Sequence, residues 1–272
     1  MQTFNDLAKF HKNTHPPRLQ IQDHPVFQAL PSEARRQAEL NSALLLLSPD
    51  EDIHDDDGLY FILAGMLGLF PDGRRICVSV VVAGSVHGWD QAMDPTALRS
   101  TARPLINTHA CRVPAACVLE SLGPDWLTRL VARQAQTRLH VLAAEAACNA
   151  SHLVKERLAK WLVRLYCGAH GAPLRLTQAD FAAMLGVQRT SINAAAGRLQ
   201  DQDLVRFGRG KVEVIDLAGL RRASCGCGEP PSKLAAMLQI PSCPSDIDAA
   251  FCTPAENAGL PLVHFDDASR PS

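Results

Sequence analysis

Residues 177–199 read TQADFAAMLGVQRTSINAAAGRL. Apolar or small side chains recur at Phe181, Ala182, Leu185, Val187, Ile192 and Ala195, and Gly186 stands where one helical pattern stops and a second begins. That is the pattern of a helix-turn-helix. Thr177 offers a side-chain oxygen to the free N–H groups of a first helical turn, and Asp180 adds negative charge where the helix dipole is positive. The first helix is therefore predicted to start near Gln178. Ala182 suits a close helix crossing, and Gly186 can take the left-handed conformation that ends a helix. After a short turn, Ile192, Ala195, Ala196 and Leu199 face inward at helical spacing, leaving Gln188, Arg189, Thr190 and Asn193 outside at the start of the second helix. Such side chains read base edges in a major groove. A plain helical hairpin with a solvated outer face is the competing reading.

Working outward, Arg206 to Ile215 read RFGRGKVEVI, with Gly208 and Gly210 between two short β-prone runs, a hairpin that would form a basic wing. Arg206, Arg209 and Lys211 would lie along the phosphate backbone together with Thr177 and Ser191, contacts that position without reading sequence. Residues 151–222 hold twelve Lys or Arg against six Asp or Glu, while the whole chain carries a net charge of −1. Positive charge gathered on one segment is the footprint of a nucleic-acid-binding domain.

KERLAKWLVRLY (Lys155 to Tyr166), the helix-turn-helix, the stretch LQDQDLVRFGRGKVEVIDLAGL and the following Cys225, Gly226 and Cys227 resemble the C-terminal winged helix of bacterial transcription regulators of the Crp/Fnr superfamily. Upstream, DGLYFILAGMLGLFPDGRRICVSVVVAGSVHGW (Asp57 to Trp89) is similar to the cyclic-nucleotide-binding-like β-roll of that superfamily. The resemblance implies an α+β fold: a β-roll (jelly roll) sensor domain with N-terminal helices over 1–123, a dimerisation helix over 124–150 and a winged helix-turn-helix over 151–227, followed by a Pro-rich tail over 228–272.

Taken by its residues alone, the N-terminal half reads as a β structure, with a small β-barrel that binds no ligand as the alternative to a sensor roll. Leu59 to Phe70 and Ile76 to Val82 are apolar runs separated by Pro71, Asp72 and Gly73, a hairpin signal. Gly84 and Gly88 flank another turn, a further strand is expected over Leu105 to Val113, and Val26 to Leu40 reads as a helix entering the roll. From Pro124 to about Ala150 a long helix is predicted. Leu127, Leu130, Gln134, Thr137, Val141, Ala144 and Cys148 alternate by three and four along it, the seam of a parallel homodimeric coiled coil, with packing against the chain's own roll as the alternative.

Superfamily members that bind cyclic nucleotides hold the ribose with a Gly-Glu pair and the phosphate with Arg-Ser or Arg-Thr. Here Gly88 precedes Trp89, with no carboxylate, and Arg99 and Ser100 are either a remnant of the phosphate pair or, the favoured reading for Arg99, ordinary surface residues. Gly88, Trp89, Arg99 and Ser100 are the candidate ligand residues. An unpaired ribose hydroxyl weakens binding, so the expected effector is something other than cyclic AMP, or none.

The chain has nine cysteines, and neither a signal peptide nor a membrane-spanning run is evident, which predicts a cytoplasmic protein with reduced thiols. No cofactor and no metal site are expected. Cys225, Cys227, Cys243 and Cys252 could supply four thiolates to zinc, but they are not spaced as a zinc finger or ribbon; Cys148 and His152, one helical turn apart near the seam, could bind metal or haem across the two-fold, with a buried structural cysteine as the favoured reading. His87, His109 and His140 belong to no nucleophile-and-base arrangement, so no enzyme is expected. The tail has seven prolines and six acidic against two basic residues over 223–272, and reads as an acidic extension with one short helix near 232–238. The expected function is a dimeric, sequence-specific, DNA-binding transcription regulator whose partners are an operator in double-stranded DNA, a second copy of the chain, an unidentified small effector and, as a candidate, RNA polymerase. A redox- or metal-responsive sensor module acting through protein partners is the other class in play.

Overall fold

The computed structural model describes residues 19–49, 51–53, 58–71, 76–93 and 100–227. Two short helices lead in, α1 (Pro25–Ala29) and α2 (Ser32–Leu40). The expected single helix breaks because Pro31 drives the preceding Leu30 to an extended ψ of 147°. The roll follows with β1 (Ala43–Leu47), β2 (Gly58–Ala64), β3 (Met66–Pro71), β4 (Ser79–Val82), β5 (Val86–His87), helix α3 (Trp89–Met93), β6 (Ser100–Pro104), β7 (Thr108–Pro114) and helix α4 (Ala115–Leu119). One antiparallel sheet runs β1-β7-β2-β5 and the other β4-β3-β6.

The apolar run 59–70 is two strands in two sheets, divided at Gly65. Its φ of 98° and its approach to Thr108 and the Asn107 carbonyl leave no room for a Cβ. Strand alternation then sorts the core. Leu59 and Phe61 face Phe27, Leu30 and Trp89 beneath the N-terminal helices, whereas Tyr60 and Ile62 face Leu67, Leu69, Val81 and Ala110 between the sheets. The predicted β3–β4 hairpin is present. The strand expected over 105–113 begins only at Thr108, because Leu105 and Ile106 leave the sheet to join an apolar cluster with the helices that follow.

Helix α5 (Pro124–Ser151) covers the predicted long helix, and α6 (Val154–Gly168), α7 (Gln178–Leu185), α8 (Arg189–Gln200), β8 (Val205–Gly208), β9 (Lys211–Val214) and α9 (Leu217–Ala223) complete a winged helix. Its core of Leu158, Leu162, Phe181, Ile192, Leu199 and Leu220 is continuous with Met66, Phe70, Leu105 and Ile106 of the roll.

Part of the predicted seam on α5 is covered by the chain's own body: Leu127 and Leu130 pack on the N-terminal cluster, Val141 is half-buried and Cys148 is buried, whereas Ala144 is exposed. A second row carries Ala132, Ala135, Leu139, Leu142 and Ala146, all exposed, with Leu139 at 67% and Leu142 at 42%; at its C-terminal end Leu142 and Ala146 also line a cavity with Cys77, Trp161 and Met184. No described helix is long and apolar enough to cross a membrane. The acidic tail, with its expected helix at 232–238, lies outside the described residues.

Candidate nucleic-acid interface

Helix α7 begins where the sequence places its cap. The Asp180 N–H donates to Thr177 Oγ1 at 3.2 Å while the Thr177 N–H donates to Asp180 Oδ2 at 2.8 Å, satisfying two N-terminal donors reciprocally. Gly186 ends the helix in the left-handed region at φ 65°. Its last carbonyls all find donors. The N–H groups of Gly186 and Val187 serve Ala182 and Ala183, the Cys77 N–H from the roll serves Met184 at 3.2 Å, and the buried Arg157 guanidinium serves Leu185 at 2.8 Å. Helix α7 is thus fixed to both the roll and α6.

Three residues, Gly186 to Gln188, connect it to α8. Ile192, Ala195, Ala196 and Leu199 are buried, as their spacing predicts, and Gln188, Arg189, Thr190 and Asn193 are exposed together at the helix start. Arg189 makes no ion pair with any described residue, so its guanidinium fork is available for bidentate hydrogen bonding. Ser191 is half-buried beside them. Arg198, in the last turn of α8, is also exposed. Spacing arguments passed over it because it lies two turns beyond Thr190, with Ala194 between them on the same row.

The wing is held in place from two sides. Leu174 and Val212 exchange backbone hydrogen bonds at 2.9 and 2.8 Å, and the Phe207 N–H donates to Gln200 Oε1 at 2.9 Å. Arg206, Arg209 and Lys211 are exposed. Two of them share Glu213: Lys211 Nζ lies 2.8 Å from its carboxylate and Arg206 3.9 Å, and the Lys211 hydrogen bond holds that carboxyl below its ordinary range. Exposed pairs of this kind are weak and exchangeable.

The proposed sensor residues are less assembled. The Gly88 backbone packs directly on Gly58, and Trp89 is 2% exposed within the N-terminal apolar cluster. Ser100 opens β6, and Arg99 lies outside the described residues.

Behind α8, at the junction of α5 and α6, Lys160 is 2% exposed and donates to Glu145 Oε2 at 2.7 Å, while Arg164 donates to Glu145 Oε1 at 2.6 Å. Burial raises the Glu145 carboxyl, but Arg164 and Lys160 outweigh it and hold the group below its usual range. Lys160 also donates to Cys148 Sγ at 3.2 Å. Beside that sulfur the structure gathers groups the sequence left apart. Cys225 Sγ is 3.5 Å from Cys148 Sγ, Cys227 Sγ is 3.5 Å from His152 Nδ1, and the four donor atoms all lie within 4.8 Å of one another. Cys243 and Cys252, grouped with Cys225 and Cys227 by sequence position, lie outside the described residues. Burial raises the thiols of Cys148 and Cys227 above the ordinary cysteine range.

Residues 156–223 match the family model of the Crp-like helix-turn-helix domain. Among solved structures, the chain is similar to a regulator assigned to the Crp/Fnr family from Eubacterium rectale, at 19% identity over 73% of this chain and 98% of that one, with a TM-score of 0.57. It is also similar to two transcriptional regulators from Thermus thermophilus: a CRP-family protein at 21% identity (69% of this chain, 98% of that one, TM-score 0.54) and a CRP/FNR-family protein at 20% (67% and 97%, TM-score 0.54). None of the curated proteins matches.

Proposed function

We propose that this chain, which joins a Crp-like helix-turn-helix domain over residues 156–223 to the fold of Crp/Fnr-family regulators, is a dimeric, sequence-specific, DNA-binding transcription regulator. The observation that carries the reading is the exposed quartet Gln188, Arg189, Thr190 and Asn193 at the start of a helix whose other face is wholly buried. A rigid helix presenting uncommitted donors and acceptors is what base-edge recognition in the major groove needs. Arg189 reads a guanine, its three neighbours read beside it, and Thr177, Ser191, Arg206, Arg209 and Lys211 hold phosphates. Lys211 and Arg206 exchange Glu213 for phosphate on binding.

The second copy docks on the outer face of α5. Ala132, Ala135, Leu139, Leu142 and Ala146 alternate by three and four, are all exposed, and are small or apolar. Two-fold pairing there places two recognition helices in successive major grooves, about 34 Å apart. In this reading the chain divides into a roll over 1–123, a dimerising helix over 124–150, a winged helix over 151–227 and a tail over 228–272. The effector is other than cyclic AMP, or there is none, since the position after Gly88 holds a buried indole rather than a carboxylate. RNA polymerase is the next partner to examine.

The test is selection of sites from a random DNA pool by the purified protein at fixed salt, because affinity without a stated salt concentration is uninterpretable. A two-fold symmetric motif is expected, and recovery of unrelated sequences would overturn the reading. Leu139→Glu with Leu142→Glu should give a monomer by sedimentation and lose the symmetric site while the winged helix stays folded.

A further inference from the structure

We propose that Cys148, His152, Cys225 and Cys227 form a closed four-coordinate site for one soft divalent metal ion, of the zinc class, which ties the end of α5 to the segment leaving the winged helix. The site is independent of the DNA-binding reading, because it uses none of the residues assigned to bases or phosphates.

The four donors come from two places in the chain. Cys148 and His152 are one turn apart at the C-terminus of α5, where His152 leaves the helix as its cap with its N–H on the Cys148 carbonyl at 3.1 Å. Cys225 and Cys227 flank Gly226, whose left-handed φ of 67° makes a turn that residues with a Cβ rarely adopt. That turn brings both sulfurs to α5. In a tetrahedral site with metal–sulfur and metal–nitrogen distances of about 2.3 and 2.0 Å, neighbouring donor atoms stand roughly 3.5 to 3.8 Å apart. The Cys148–Cys225 and Cys227–His152 separations are both 3.5 Å. A disulfide explains the group less well: the cysteines are unlinked, one bond would use only two of the three sulfurs, and the imidazole would have no reason to be there.

Charge supports the same assignment. Three thiolates on a divalent ion leave one negative charge in a partly buried place, which must be compensated. Lys160, itself 2% exposed, donates to Cys148 Sγ at 3.2 Å, and its partner Glu145 is balanced in turn by Arg164. The loaded site, Lys160, Glu145 and Arg164 together sum to zero. Loading releases three thiol protons to solvent and leaves the imidazole neutral. Three sulfurs and one nitrogen select against hard cations such as magnesium or calcium. Four protein ligands, with Cys148 fully buried, leave no open coordination position, which suits a structural clamp rather than a catalytic ion.

The experiment is metal analysis of the full chain purified under reducing conditions. It is read together with cobalt substitution and with alkylation of the thiols in the presence and absence of added zinc, located by mass spectrometry. About one zinc per chain is expected, with cobalt giving a thiolate charge-transfer band and zinc protecting Cys148, Cys225 and Cys227 about tenfold or more from alkylation. Cys225→Ser with Cys227→Ser should abolish all three signals, whereas Cys117→Ser, Cys243→Ser and Cys252→Ser should keep them. If the double variant fails to fold, the protection pattern of the unaltered chain decides alone. Absence of bound metal together with equal alkylation with and without zinc overturns the proposal. So does iron accompanied by equimolar acid-labile sulfide, since that is a cluster and not a single ion.

Discussion

The two sides of the winged helix treat charge in opposite ways. On the outside, Arg189, Arg198 and Arg209 stand in solvent, and Arg206 and Lys211 share one exposed carboxylate. On the inside, where α6 meets α5, Lys160 and Arg164 converge on Glu145 and every group has a fixed partner. An exposed cation stays hydrated at little cost and can be handed to a phosphate or a base, whereas a buried one is tolerable only when paired. The outer face therefore holds groups the fold leaves uncommitted, and the joint holds those it commits. The roll follows the same rule: buried His24 accepts the Val26 N–H at Nδ1 (3.2 Å), so Nε2 carries the proton toward the Ser85 carbonyl, also at 3.2 Å.

The sharpest break of this contrast is Glu145→Ala, which strands Lys160 in a buried place. A loss of about 3 to 5 kcal/mol in denaturant unfolding is expected, far beyond the effect of removing an outer cation. A loss under 1 kcal/mol would show the joint to be no more committed than the surface.

Acid should reveal the buried histidine next. Burial lowers the His24 pKa from 6.5 to about 4, the Ser85 contact only partly opposing it. Between those values the unfolded chain binds a proton that the folded chain refuses, so stability is full above pH 6.5 and falls as pH drops toward 4, by about 3 kcal/mol. His24→Gln should flatten that slope in melts run across this window. An unchanged slope would place the acid sensitivity elsewhere; Glu145, Glu33 and Glu213, whose carboxyls are also held low, act in the same direction but at the acid end of this window and below it.

On the outer side, Arg189→Ala should leave unfolding unaltered and cost about 1 to 3 kcal/mol of binding to the selected site, relaxing preference at one base pair. An equal loss on all sequences would reassign Arg189 to phosphate. Arg209→Ala should have the smallest effect, a uniform weakening with the salt slope reduced by about 1. A change in base preference would mean that the wing reads sequence.

The helix-turn-helix was legible because its signals are local. Thr177, Asp180 and Gly186 each do something within one turn of themselves, and the burial of Ile192, Ala195, Ala196 and Leu199 follows from helical period alone. The signals in the roll are less local. Gly65 splits what looks like one apolar run, and Leu105 and Ile106, strand-like by composition, are drawn off by the helices. On α5 both faces carry residues at alternating spacings of three and four, so periodicity could not say which one the chain would cover itself.

Sequence by itself determined the two helices of the helix-turn-helix, their cap, their turn and the exposed quartet, because capping, left-handed glycine and amphipathic period act over a few residues. Only the tertiary structure decided which face of α5 stays open, that Trp89 is core, and that Cys148 and His152 meet Cys225 and Cys227. Those outcomes depend on how the roll, the long helix and the winged helix pack, and packing joins residues whose separation along the chain carries no periodic signal.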